Sequence, residues 1–437
     1  MCRRLLKHRN SVFFAMFSYL MCWFVFFCAP RTLSNSLETS LLLIALHWYP
    51  FEEIQDQQPS RTWPYMSIGV LSILIRPTAV LFWAPLGIWH LLRSRNKFRL
   101  LICECLPSVI VTLLLGIVGD SLAFGHPTFS TWNFAKFNVI DGGSAHFGVH
   151  PWNWFFTHGI GSVMTIQILP AFLGVSHPLR PTLSLFYLSG WYVLFHSFLP
   201  HKEHRFLLPI IPLLCVYAGH FLSVSYKGSW KKSTGLFKIC IFLIVIINVP
   251  LAFYTSMFHQ VGPISAARVI STRRADSSKM NILQLMPCYS MPQYSYFHNL
   301  DVSIRSLDCS PNLMADPNYV DEADFFHDNP SAFLENFWPS FGDVSHIVIY
   351  ERTFMIVRDF LVARGYRICD RLFHAHFPTS SRQDNYLLIE YNCNGTIVEH
   401  PEYGEVIQLT GDQRQHIKDF LCKVGIVKED NCKIHGF

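Results

Sequence analysis

Residues 181–226 read PTLSLFYLSGWYVLFHSFLPHKEHRFLLPIIPLLCVYAGHFLSVSY. Two apolar runs, 181–199 and 206–226, are parted by a short stretch dense in charge. Each run approaches the roughly 20 apolar residues that cross a bilayer. The stretch therefore predicts two membrane helices joined by a polar turn at the membrane surface, and that reading decides the fold class. Composition agrees. Hydrophobic residues make up 51% of the 437 and charged residues 15%, against roughly 25% charged in an ordinary soluble chain. With 38 Phe, 17 Tyr and 11 Trp as well, the chain is neither disordered nor a cytosolic globule.

Working outward, similar runs fall at 11–28, 37–49, 65–92, 98–118, 159–175 and 236–258. The first follows Arg3, Arg4, Lys7 and Arg9, the charge order of a signal peptide. It is too long and lacks a small-residue cleavage site, so it predicts a membrane helix. The run 37–49 is short and carries Glu38, which fits an interfacial or buried half-span. The run 65–92 exceeds one straight span, and Arg76-Pro77 interrupts it. Proline removes a backbone donor and disfavours helix in the residue before it, so a bent or re-entrant pair of half-helices is expected there.

Charge orders the rest. Residues 1–258 hold 19 Lys and Arg against 8 Asp and Glu, while residues 259–437 hold 16 against 22. The basic excess sits between apolar runs, so it reads as loop charge that sets topology and not as a nucleic-acid footprint. Arg93, Arg95, Lys97 and Arg99 form one basic loop; Lys227, Lys231, Lys232 and Lys238 form another. Both are expected on the cytoplasmic side, and the four spans between them make that consistent. The loops 119–158 and 200–205 then fall on the luminal face. The expected architecture is an α-helical multi-pass membrane domain, 1–258, and a luminal α/β domain, 259–437.

The tail carries its own signals. Strands are predicted at 346–350, 366–369 and 386–391, with a helix over 351–364 ending at Gly365. Six of the 13 cysteines follow residue 258; none forms a C-x-x-C pair, and no His/Cys spacing suits zinc. Some of the six are expected to pair in an oxidising lumen. Asn394-Gly395-Thr396 is a glycosylation sequon, usable only on that side.

The densest polar cluster is His201-Lys202-Glu203-His204-Arg205. One reading is an interfacial turn with snorkelling cations. The other is a phosphate site, where Arg supplies a planar fork and one carboxylate orients a hydroxyl or balances charge. A second constellation holds Asp120, Lys136, His150 and Trp152 among aromatics, as a carbohydrate platform or an interfacial aromatic belt would. Arg76 inside an apolar run is the third feature, because an intramembrane Arg lines a polar cavity or pairs with something.

His201-Lys202-Glu203-His204-Arg205-Phe206 resembles the H-K-E-x-R-F signature of glycosyltransferase family 22, the dolichyl-phosphate-mannose-dependent mannosyltransferases. Residues 31–39, 75–79, 132–138, 147–152, 285–290 and 319–324 are most similar to the branch acting on the glycosylphosphatidylinositol (GPI) anchor precursor. The resemblance implies a GT-C membrane enzyme of the endoplasmic reticulum. It would transfer an α1,2-linked third mannose from dolichyl phosphate mannose to the GPI glycolipid, within the lipid bilayer, with no cofactor, metal or nucleic acid. It implies Glu203, His201 and Arg205 as catalytic residues. Lys202, Arg76, Asp120, Lys136, His150 and Trp152 are the substrate-binding candidates. The resemblance also implies that the family's amino-terminal region, with its acidic residue taken as the base, is missing here.

Other functions give different signals. A transporter would place ionisable residues in several spans around a midplane site; here Arg76 stands nearly alone. A sibling mannosyltransferase of N-glycan assembly shares the signature, and a truncated inactive product would share every motif. An assay with a two-mannose acceptor separates these.

Overall fold

The computed structural model describes residues 2–6, 8–51, 62–178, 182–272, 280–298, 301–312, 319–392, 395–400, 404–409 and 418. Asn394, the expected glycosylation site, lies outside them. The chain divides into two compact units, Met1–Ser256 and Met257–Phe437.

The first unit is helical. Among the described residues, four stretches are long and apolar enough to cross a membrane: Lys97–Phe124, Phe155–Ser176, His204–Ser225 and one beginning at Gly235. Two of them take opposite environments. The most apolar window of His204–Ser225 is 83% buried, whereas that of Lys97–Phe124 has no buried residue. An apolar helix buried on all sides is a core element. One apolar and wholly exposed finds its solvent only in lipid.

The helix Ile211–Ser225 is the hub, with Ile211, Leu213, Cys215, Val216, Tyr217 and Ala218 all buried. It packs closely on the helix Arg9–Leu20. Gly219 makes that approach feasible, since a Cβ there would lie 2.2 Å from the Ala15 backbone nitrogen. Small residues at such crossings let two backbones touch.

The expected single helix over 11–28 is a correction: it is two helices, Arg9–Leu20 and Trp23–Cys28, with Cys22 extended between them. Neither glycine nor proline causes the break. The Trp23 amide that it frees donates to Asn248 Oδ1 at 3.2 Å, and Cys22 Sγ lies 3.4 Å from the Val163 carbonyl. Partners distant in sequence thus satisfy the break.

The run 65–92 divides at Arg76-Pro77. The helix Trp63–Ile75 ends on an extended Arg76 (φ −141°, ψ 110°), a short turn covers Pro77–Ala79, and the helix Val80–Arg93 follows. Proline imposes that geometry on its predecessor. The helix Ser34–Trp48 packs against both Trp63–Ile75 and the turn His204–Ile210.

The second unit holds strands β1 (Met280–Leu285), β2 (Val302–Ser306), β3 (His346–Tyr350), β4 (Tyr366–Phe373) and β5 (Tyr386–Asn392), ordered β2-β1-β3-β5-β4. β1 runs parallel to β2 and β3; β5 runs antiparallel to β3 and β4. Side chains alternate between faces. Leu283, Leu285, Ile347, Ile349 and Leu388 pack with Phe326, Phe333 and Phe354, while Ile282, Val348, Tyr350, Leu387 and Ile389 pack with Ala266, Ala267 and Ile270. Cys288 and Cys309 form a disulfide, with Cα atoms 6.3 Å apart. β6 (Gly395–His400) and β7 (Gly404–Leu409) form a separate two-stranded sheet.

Candidate active site

The signature begins where the helix Ser184–Phe198 ends. Leu199 and Glu203 are extended, and the chain then coils tightly through His204–Ile210 into the hub helix. Pro209 and Pro212 reinforce that entry, since proline suits the first turn of a helix.

Glu203 sits between His201 and Arg205. His201 Nε2 is 2.9 Å from its Oε1, and Arg205 Nη2 donates to the same oxygen at 2.6 Å. Arg205 Nε lies 2.5 Å from Oε2. Burial alone would raise the Glu203 pKa, but the bonds from His201 and Arg205, with the Arg205 charge, outweigh it and hold it below the usual carboxylate range. The Arg205 side chain is 43% exposed and the Glu203 side chain 31%. The guanidinium is therefore fixed along one edge and open along another.

Lys202 turns the other way. It is buried, and its Nζ donates to the carbonyls of His150 at 3.0 Å and Leu199 at 2.6 Å. Its ammonium ties the 148–150 loop to the signature. A bond from His150 N to the Pro200 carbonyl at 3.0 Å runs beside it, and His201 Nδ1 lies 3.3 Å from the Gly148 carbonyl. Gly148 takes a left-handed conformation (φ 108°) to present that carbonyl, which a side chain would strain. The His150 ring stacks on Trp154, whose edge meets His204.

The other expected contacts are dispersed. Asp120 Oδ2 accepts the Ser130 amide at 2.8 Å and so caps the short helix Ser130–Ala135. Lys136 and Trp152 are exposed. Arg76 is drawn into the interior, its Nε 2.9 Å from Oε2 of Glu38. Glu38, treated in the sequence as a span residue, is the charge that Arg76 pairs with; the 38-residue separation hides that pairing. Beside the signature, an apolar groove lined by Phe156, Ile160, Phe172, Phe186, Val193 and Leu214 reaches Ile210.

This arrangement can bind an anionic oxygen at the open edge of Arg205, with Glu203 and His201 fixing the guanidinium plane. Among the described residues no group of three or more His, Cys, Asp and Glu could hold a metal ion.

Residues 1–298 match the family described as "Alg9-like mannosyltransferase family". GPI alpha-1,2-mannosyltransferase 3 of Xenopus laevis is 32% identical over 89% of this chain and 72% of its own length. The Homo sapiens protein of that name is 33% identical over 89% and 69%. The crystal structure of ArnT from Cupriavidus metallidurans bound to undecaprenyl phosphate aligns with a TM-score of 0.51, over 90% of this chain and 80% of that one. At 13% identity this is a likeness of fold, the GT-C membrane architecture. Separately, residues 386–427 match a model described as "Translation initiation factor SUI1".

Proposed function

We propose, from the premise that this chain belongs to the Alg9-like mannosyltransferase family, that it adds an α1,2-linked mannose to a GPI glycolipid precursor. The donor is dolichyl phosphate mannose. The observation that carries this reading is identity above 30% to two proteins named GPI alpha-1,2-mannosyltransferase 3, extending over nearly nine-tenths of the chain.

The chemistry is displacement at the anomeric carbon. The acceptor hydroxyl oxygen forms a bond to C1 as the bond from C1 to the phosphate oxygen breaks. The hydroxyl proton passes to a general base, and the dolichyl phosphate leaves as an anion. Arg205 is assigned to that phosphate, because its side chain is 43% exposed and developing negative charge is where a fixed cation acts most. Glu203, held ionised below the usual range, is a weak base. Its role is to fix Arg205 with His201. Lys202 holds the loop behind them. The apolar groove at Ile210 suits the first isoprene units of the donor.

The basic loops 93–99 and 227–238 favour a luminal placement of the signature turn in the endoplasmic reticulum membrane. The test is direct. The chain, expressed in membranes, is incubated with dolichyl phosphate mannose and GPI precursors bearing one, two or three mannoses. Product on the two-mannose acceptor alone is expected. An N-glycan lipid precursor is assayed beside them; product only on that acceptor, or none above background on any, overturns the assignment.

A further inference from the structure

We propose that Glu38 and Arg76 are positioning residues for mannosyl transfer, forming a buried ionic strut that sets the aromatic end of the signature. The proposal rests on the mannosyltransferase reading and assigns neither residue to substrate.

The strut begins in the helix Ser34–Trp48, where Glu38 is 1% exposed. Arg76 reaches it from the break before Pro77. Its Nε lies 2.9 Å from Oε2 but off the hydrogen-bonding axis, so the contact is chiefly charge against charge. Its Nη1 donates to Ser34 Oγ at 3.2 Å and Asn35 Oδ1 at 3.3 Å. The other side of the guanidinium faces the Phe206 ring, 5.5 Å from Cζ to centroid. Phe206 is also met by the rings of His201 at 5.8 Å and His196 at 5.9 Å. It adjoins Arg205 in the chain, and Arg205 grips Glu203. One line of contacts thus runs from Glu38 through Arg76 and Phe206 to the phosphate-facing guanidinium.

Stability is a poor reason for such a pair. Two charges taken from water into an apolar interior lose solvation that their attraction barely offsets, and well-packed apolar residues often do as well or better. Ionisable groups at these depths recur where function needs them. The strut offers what apolar packing lacks: a planar cation of fixed orientation against one ring. Lysine, a point charge on a flexible stem, cannot replace that.

Two variants test it, each with thermal unfolding and steady-state kinetics in the assay above. The double variant Glu38→Leu/Arg76→Met removes both charges together, avoiding a stranded ion. It is expected to unfold at or above the wild-type temperature while kcat falls about ten- to a hundredfold, the scale of a displaced catalytic group, with KM for the donor changing much less. Arg76→Lys leaves Glu38 its counter-charge and is expected to fold and also lose kcat. Wild-type kcat in either folded variant overturns the proposal. Should the double variant not fold, Arg76→Lys decides alone; should that fold only with wild-type kcat, or neither fold, the pair is structural and the proposal fails. A wild-type chain without mannosyl transfer would instead overturn the functional reading.

Discussion

Arg205 holds both oxygens of Glu203, the residue two before it, with Nη2 2.6 Å from Oε1 and Nε 2.5 Å from Oε2. So short a loop would not favour that clasp unless the chain were extended at Glu203 and coiled at once after it, as it is. The guanidinium is oriented before any ligand arrives. Arg205→Ala should therefore lower kcat by about 10²–10³, the cost of removing one preorganised group that stabilises developing charge. Glu203→Gln should lower it less, since the amide still accepts one bond. Rescue of anchor-deficient cells by both variants at matched expression would remove this pair from the mechanism.

Glu203 also gives a pH signature. Its pKa is lowered from 4.5 in the folded chain. Its stabilising contribution is therefore present above pH 4.5 and is lost as pH falls through the folded value. Unfolding temperatures of wild type and Glu203→Gln should differ by a constant amount above that pH and converge below it. A gap that widens in acid would contradict the clasp.

Lys202 should behave unlike its neighbour. Lys202→Met strands the carbonyls of His150 and Leu199, at about 1–3 kcal/mol for each buried unsatisfied group. Its main effect should be a lower unfolding temperature and faster proteolysis of the 142–150 loop. A donor KM raised many-fold with stability unchanged would return Lys202 to the substrate.

Local rules made much of this legible. Pro77 fixes the division at Arg76, the apolar runs from residue 98 onward become helices, and the β3-helix-β4 alternation is visible in 346–373. What escaped depends on partners far along the chain. The break at Cys22 is met by Asn248 and Val163. Only the fold brings Lys202 to the carbonyls of His150 and Leu199, and Asp120 to the Ser130 amide. Strands β1 and β2 pair in parallel, so no hairpin turn marks them, although β2 alternates Val302 and Ile304 with Ser303 and Arg305. Glu38 and Arg76 each read as lone charges. Only their meeting gives either a purpose.

Glu390 has no such partner among the described residues. It lies in β5 on the Leu388 face, fully buried, and its carboxylate oxygens have no hydrogen-bond partner among the described residues. Burial pushes its pKa from 4.5 up to about 7. The folded sheet thus favours the protonated form, so stability should fall as pH rises from 4.5 to 7 and stay low above. Glu390→Gln should increase amide-exchange protection of β3 and β5 at pH 8 and change it little at pH 4. Lower protection at pH 8 would show a stabilising partner for the carboxylate.

The tail separates what the enzyme needs from what the chain carries. β5 completes the five-stranded sheet, whereas β6 and β7 pair with each other alone among the described strands. The likeness to SUI1 spans 386–427 and so includes β5, yet β5 is bonded on both edges, to β3 and β4. Losing β5 would expose two strand edges and much of both cores; losing the residues beyond it removes only a self-contained hairpin from the described sheets. A stop after Asn392 should therefore leave mannosyl transfer and β3 amide protection near the full-length values. A stop after Asn385 should abolish both through misfolding. If the first truncation lost transfer while β3 stayed protected, the tail would contribute to the reaction, and its likeness to a second family would need a functional account.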